Sequence, residues 1–414
     1  MSVGLESLKM NFRDIEESLL ALILCTFGDL IAGLVMGHSS DKLAILPALI
    51  LLIPPSIGLR GNIYASLGSR LSSYLHTGRI SPKFEFNPRI AGNIYSSTFL
   101  LLIFSILNGF LAAQIAFTIN IATVKGSVTG FEELVLDLIL ISALSGFLSA
   151  ILMIPSTLAI AIGSYRWGWN PDNLTAPIIT LLGDLITLPL VFISADAIFM
   201  IDFTTKLYLS AVVFLLTVLF FMLSYRSKVE AIGRRIIKES IPVLLFCTFL
   251  QFGAGTILGN KIEGFVAIAG LLTIVPAFLE DGGAMGGILA ARFSTMLHLG
   301  LLQPSIKPPK EVLWSFGLMH LIALAIFALV GVFGQIVNYL LGLPTISIFE
   351  MVLVTTIAGQ LLMILLNSMS YYFSIISYKK GLDPDNVGIP LITSFMDILG
   401  TACLVITLQL LNII

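Results

Sequence analysis

Charge is the scarcest commodity in this 414-residue chain. Asp, Glu, Lys and Arg together make up 11% of it, while apolar side chains make up 57%. Soluble domains carry about 25% charged residues, so too few are present here to cover a surface facing water. That excludes a water-soluble globular enzyme. A basic excess is also missing: 22 Lys and Arg stand against 24 Asp and Glu, which excludes a nucleic-acid binder. Only three cysteines occur, Cys25, Cys247 and Cys403, each inside an apolar run and none at metal-ligand spacing. A disulfide framework and a zinc site are therefore unsupported, and no cofactor is expected. The opening stretch lacks the short apolar core and cleavage site of a removable signal peptide. Leu5, Leu8, Phe12, Ile15 and Leu19 recur at helical spacing, so residues 1–18 read as a cytoplasmic amphipathic segment on the membrane surface.

Long apolar runs are what the chain has instead. They fall at about 19–37, 43–63, 91–121, 134–163, 173–195, 207–225, 241–260, 264–281, 313–341, 348–378 and 386–412. Each is long enough to cross a bilayer. Backbone amides cannot go unpaired in lipid, so all are expected to be helices. The fold class is an all-α polytopic membrane protein of about eleven spans. With a cytoplasmic N-terminus, 18 of the 22 basic residues lie in cytoplasmic segments and 4 on the other side. That bias orients the chain with its C-terminus on the opposite side of what is expected to be the cell membrane.

The chain also repeats itself. Residues 25–82 align without gaps at an offset of 222, pairing Pro54 with Pro276, Gly61 with Gly283, Arg70 with Arg292, His76 with His298 and Gly78 with Gly300. Further on the offset becomes 213, where Pro-Asp-Asn-x-x-x-Pro-x-Ile-Thr-x-x-x-Asp occurs twice. Apolar composition does not generate a gapless match of Pro, Asp, Asn, Arg and His. The expected organisation is a first five-span repeat over 19–203, a linker span and basic loop over 204–240, and a second repeat over 241–414. The extra span makes the number of crossings between equivalent points even. The repeats are then parallel, related by a pseudo-two-fold axis along the membrane normal, and a single chain acts as a pseudo-dimer.

Two matched carboxylates stand out. Asp184 and Asp397 lie roughly 17 Å along their helices from the cytoplasmic end, close to the midplane, where an isolated charge is costly. Two such groups placed symmetrically repel each other unless a cation lies between them. Thr180 and Thr393, one turn earlier on the same face, offer hydroxyl ligands. A hard divalent ion that keeps part of its water shell, such as Mg²⁺, suits this donor set. The second feature is a Gly- and Pro-rich segment in the second span of each repeat. It is expected to break the helix and line the pathway through Gly58, Gly61 and Asn62 in one repeat and Glu280, Asp281 and Gly283 in the other. Arg60 stands where Gly282 stands, and the expectation is that it pairs with Asp281 across the axis. Asp172, Asn173, Asp385 and Asn386, with Asp383, mark the cytoplasmic mouth as helix caps, cation attractors or both. Asp29, mid-span, faces Gln251 in the alignment. His76 and His298 read as helix-end packing.

At the segment Gly61-Asn62, at Ser-Arg-Leu-Ser-Ser-Tyr-Leu-His-Thr-Gly (69–78), and at the twice-used Pro-Asp-Asn frame, the sequence resembles the MgtE family of magnesium transporters, in the branch where two domains are fused in one chain. The resemblance implies Mg²⁺ as transported substrate, with Mn²⁺ or Co²⁺ as further candidates. It implies that Asp184 and Asp397 bind the metal in mid-membrane. It also implies that Arg60–Gly61–Asn62 and Gly282–Gly283–Ala284 form the pore segment. The second repeat lacks the asparagine, and the family's cytosolic sensor domains have no counterpart. Two other readings compete. One is a Na⁺- or H⁺-coupled divalent-cation exchanger built on the same helices. The other is an intramembrane aspartyl protease, whose dyad would share one proton but whose Gly-x-Gly-Asp motif the chain lacks.

Overall fold

The computed structural model describes residues 12–414 except 77, 84, 86, 120, 122–129, 168–170, 227–228, 299 and 381–383. Within its helices the side chains of 12–18, 20, 21, 24, 69, 72, 73, 76, 171–177, 230, 291, 294, 295, 298 and 384–390 are also outside the description. The amphipathic face expected over residues 5–19 therefore lies almost wholly outside the described residues.

The described residues form thirteen helices and no strand: α1 (Phe12–His38), α2 (Ser40–Ile45), α3 (Leu49–His76), α4 (Pro88–Thr118), α5 (Phe131–Arg166), α6 (Pro171–Phe199), α7 (Phe203–Ser224), α8 (Glu230–Gly259), α9 (Ile262–Ala267), α10 (Gly270–His298), α11 (Lys310–Leu341), α12 (Ile348–Lys379) and α13 (Pro384–Leu410). Every apolar run contains one long helix. Nine of these are apolar and long enough to cross a membrane, counted over the described residues. α3 falls outside the nine, since it carries Arg60 and Arg70 among prolines, serines and glycines. The protein is an integral, multi-pass, all-α membrane protein.

The ends of the helices follow from local chemistry. Asn87 accepts the amide of Ile90 ahead of Pro88, so the missing proline N–H falls where no helical acceptor exists. Ser347 and Glu350 close a capping box on α12. α3 and α10 end alike: Gly78 and Gly300 take φ of 64° and 67°. Their amides bond to the carbonyls of Leu75 and Leu297 at 3.1 Å. A residue with a Cβ is strained in that left-handed conformation.

The duplication reappears helix by helix. Even the six-residue helices α2 and α9 stand 222 residues apart. The second spans are interrupted, but not where the Gly-rich segments predict. α3 and α10 run unbroken through Gly58–Gly61 and Gly282–Gly283, and the interruption lies earlier, at 46–48 and 268–269. Pro54 and Pro55 fall in the second turn of α3, where they remove bonds only to its first-turn carbonyls. The glycines beyond them keep helical angles.

The chain divides into two compact units that are not the two sequence repeats. One comprises Met1–Asp41 with Asn260–Ile414, the other Lys42–Gly259. In the first unit α10 packs against α1, α11, α12 and α13; in the second α3 packs against α8, α4, α5 and α6. Each unit thus takes its first-span helix from the other repeat. The crossings are close. A Cβ on Gly33 would lie 1.8 Å from the carbonyl oxygen of Thr273, and one on Gly255 would lie 3.0 Å from that of Leu51. Those pairs are themselves 222 residues apart. α7 has no counterpart; it packs on α4 and α5 and leaves Tyr208, Phe214, Leu215 and Met222 exposed, as a lipid-facing helix does.

Candidate metal centre

In the Lys42–Gly259 unit, α6 carries Thr180 and Asp184 and packs against α3, which carries Gly58, Arg60, Gly61 and Asn62. Asp184 is buried, with 1% of its surface exposed. Among the described residues a Cβ on Gly61 would meet nothing within 4 Å, so α3 leaves open space at that glycine. The Asn62 Nδ2 atom is buried without a hydrogen-bond partner among the described residues. An amide so placed has unmet bonding capacity, and a half-turn of χ2 exchanges its NH2 for its carbonyl oxygen. Gly58 lies on another face. Its missing Cβ makes room for the Gln251 side chain of α8, whose Nε2 would be 1.7 Å away.

In the other unit, α13 carries Thr393 and Asp397 and packs against α10, with Glu280, Asp281 and Gly283. Asp397 is half-buried. Gly283 and Thr393 come together: a Cβ on the glycine would sit 3.7 Å from Thr393 Cγ2. Asp281 is fully buried and faces α1, where Thr26 Oγ1 donates to its Oδ2 at 2.7 Å. Asp29, on the same face of α1 and 2% exposed, lies within electrostatic reach of Glu280 and Asp281. Sequence reading left Asp29 unplaced, because its acidic neighbours are some 250 residues away. Only the exchanged first helix brings them together. Among the described residues no three His, Cys, Asp or Glu side chains form a group that could hold a metal ion.

Arg60 and Asp281, expected to pair, belong to different units. Arg60 is 1% exposed and spends its donors inside its own unit. Nε donates to Ser149 Oγ at 3.0 Å, Nη2 to Ser145 Oγ at 2.8 Å and Nη1 to the Ser56 carbonyl at 2.9 Å. Burial explains these bonds: a guanidinium removed from water must use its donors on the nearest acceptors. α5, packed against α3, supplies the two serine hydroxyls, and α3 itself the Ser56 carbonyl.

α6 and α13 open on Pro171 and Pro384. Asp172, Asn173, Asp385 and Asn386 therefore occupy the second and third positions of their helices. Their side chains, and Asp383 altogether, lie outside the described residues, as do the side chains of His76 and His298. Among the described residues, ion pairs of Lys42 and Lys206 tie down the unit that contains α7. Lys42 pairs with Asp196, and the buried Lys206 lies 2.6 Å from Asp137 and 3.6 Å from Glu133.

A bundle of long apolar helices, with a carboxylate on each of two matched helices, defines an integral, multi-pass membrane protein. The model of the MgtE family, described as divalent cation transporter, matches residues 53–194 and 275–407. The chain belongs to that family. It is 27% identical over 402 residues to solute carrier family 41 member 3 of Rattus norvegicus, covering 92% of this chain and 84% of the relative. It is also 27% identical over 423 residues to solute carrier family 41 member 2 of Homo sapiens, covering 96% and 70%. Among solved structures, the eukaryotic MATE transporter AtDTX14 overlaps all of this chain and 95% of its own at 13% identity, with a TM-score of 0.32, too low to argue from. The matched segments contain Asp184 and Asp397, but not Asp29.

Proposed function

We propose that this divalent cation transporter carries Mg²⁺ along the pseudo-two-fold axis of its duplicated helices, with Asp184 and Asp397 as paired mid-membrane ligands. The observation that carries the reading is the matched placement of the two carboxylates. Each stands on the fifth-span helix of its repeat, and each of those helices packs on the Gly-rich second span. Mg²⁺ holds its water tightly and prefers two carboxylates plus retained waters to an all-protein cage. Thr180 and Thr393 contribute hydroxyls to those waters. Gly61, Asn62 and Gly283 line the approach, and Asp172, Asn173, Asp385 and Asn386 attract the ion at the cytoplasmic mouth. Mn²⁺ and Co²⁺ fit the same oxygen donors less selectively. A single chain supplies both halves of the pathway, in the cell membrane with its N-terminus in the cytoplasm. No chemical step is catalysed.

A second reading, exchange of the divalent ion against Na⁺ or H⁺, is favoured by one specific observation. Asp29, Glu280 and Asp281 form an acidic group in one unit, with Asp29 and Asp281 buried, and its aligned positions in the other unit are Gln251, Gly58 and Leu59. The test of both is Mg²⁺ uptake by proteoliposomes, with and without imposed Na⁺ and proton gradients. Uptake is expected in the wild type and lost in the double variant Asp184→Ala, Asp397→Ala. Wild-type-like flux from that variant would falsify the assignment of the ligands.

A further inference from the structure

We propose that Arg60 is a built-in fixed cation of the ion pathway that weakens the hold on the transported dication and so sets its affinity and rate of release. The proposal rests on the transport reading and extends it to a residue that reading does not use. Three observations carry it. First, among the described residues no carboxylate forms an ion pair with Arg60. Its hydrogen-bond partners among the described residues are neutral: the hydroxyls of Ser145 and Ser149 and the carbonyl of Ser56. Its positive charge is therefore solvated but not neutralised. Second, the cradle is built for it. Ser145 and Ser149 donate their own protons to the carbonyls of Ser142 and Gly146, at 3.1 and 2.8 Å, which leaves their oxygens turned to the guanidinium as acceptors. Tyr64 OH sits 3.3 Å from Ser149 Oγ and closes the cluster.

Third, the chain contains its own control. The positions aligned with Arg60, Ser145 and Ser149 in the second repeat are Gly282, Ala358 and Leu362. There the Leu362 methyl fills the space: a Cβ on Gly282 would lie 2.8 Å from its Cδ2. The same helix crossing is thus made once with a charge in a serine cradle and once with hydrocarbon. Packing alone needs only the hydrocarbon version. The charged version adds a positive field between α3 and α5, both of which pack against the helix bearing Asp184. In a low-dielectric interior that field reaches the neighbouring helix and acts on a dication with twice the strength it has on a monovalent ion. A pathway with mid-membrane carboxylates risks holding Mg²⁺ too long, and a fixed cation nearby shortens the dwell.

The test transplants the neutral half onto the charged one. R60G/S149L recreates the Gly282–Leu362 contact, and R60K keeps the charge with altered shape. Mg²⁺ binding is measured by isothermal titration on purified, monodisperse protein, and flux on proteoliposomes. R60G/S149L is expected to bind Mg²⁺ about tenfold more tightly and to transport it more slowly at saturation, with R60K within about twofold of wild type. Unchanged affinity in a folded R60G/S149L overturns the proposal and leaves Arg60 as a space-filling group. So does an R60K that matches R60G/S149L, since shape rather than charge would then govern. A wild-type protein that binds no Mg²⁺ removes the transport reading and this one with it, an outcome distinct from the other two.

Discussion

The two units share one backbone plan and differ in what they bury at equivalent places. Where the Lys42–Gly259 unit sets Gln251 against Gly58 and holds Arg60 between serines, the other sets Asp29 near Glu280 and Asp281 and closes the Arg60 position with leucine. The helix order, the short α2 and α9, the left-handed turn glycines and the crossings of Gly33 and Gly255 are retained. Backbone geometry after a duplication is constrained by packing in both copies at once. Buried charge is not, so long as each group finds local partners. One half has become cationic beside its Gly-rich segment and the other anionic.

The sharpest way to break this comparison is at the feature on which the halves agree. Replacing Asp184 and Asp397 together by Asn is expected to abolish Mg²⁺ flux in proteoliposomes. Of the single changes, Asp184→Asn is expected to be the more severe, because its carboxylate is the more buried. Equal single effects would mean that burial does not distinguish the two ligands. Next come the helix crossings. Gly33→Ala drives a methyl into a backbone carbonyl that cannot swing aside and is expected to cost about 3 kcal/mol. Gly255→Ala, with more room, costs about 1 kcal/mol. Thermal unfolding in detergent ranks the two, and a reversed order would place the tighter crossing in the other unit.

Thr26→Val probes the anionic half. It strips a hydrogen bond from a buried carboxylate and is expected to destabilise by about 2 kcal/mol. The aligned Thr248→Val has Leu59 in place of Asp281 and is expected to cost less than about 1 kcal/mol. The smallest effect tests the symmetry itself. Gly78→Ala and Gly300→Ala each force a Cβ into left-handed backbone and should each lower stability by about 1 kcal/mol. A marked difference between them would show that the two turns are held differently despite their matching φ and hydrogen bonds.

Much of this was legible in the residues. The apolar runs located the eleven long helices, because a backbone in lipid has no alternative to internal hydrogen bonding. The gapless matches around Pro54, Gly78 and the Pro-Asp-Asn frame located the duplication, and the helix boundaries reproduce it. The Gly-rich segments misled. Proline and glycine report what a helix tolerates, and near the start of α3 a proline removes bonds that are easily spared. The grouping of Asp29 with Glu280 and Asp281, and the serine cradle of Arg60, were illegible, since both depend on contacts between helices far apart in the chain.

The chain by itself determined that this is a polytopic helical membrane protein, duplicated, with one matched carboxylate in the fifth span of each repeat. Periodicity, charge scarcity and self-alignment are properties of the linear order. Which first-span helix joins which bundle was decided only in three dimensions. α1 and α8 occupy aligned positions in the chain, and their order alone does not say which second span each packs against. At both crossings a glycine meets a backbone carbonyl, Gly33 at Thr273 in one unit and Gly255 at Leu51 in the other. That exchange is what gathers the acidic group of one unit and leaves a glutamine in its place in the other.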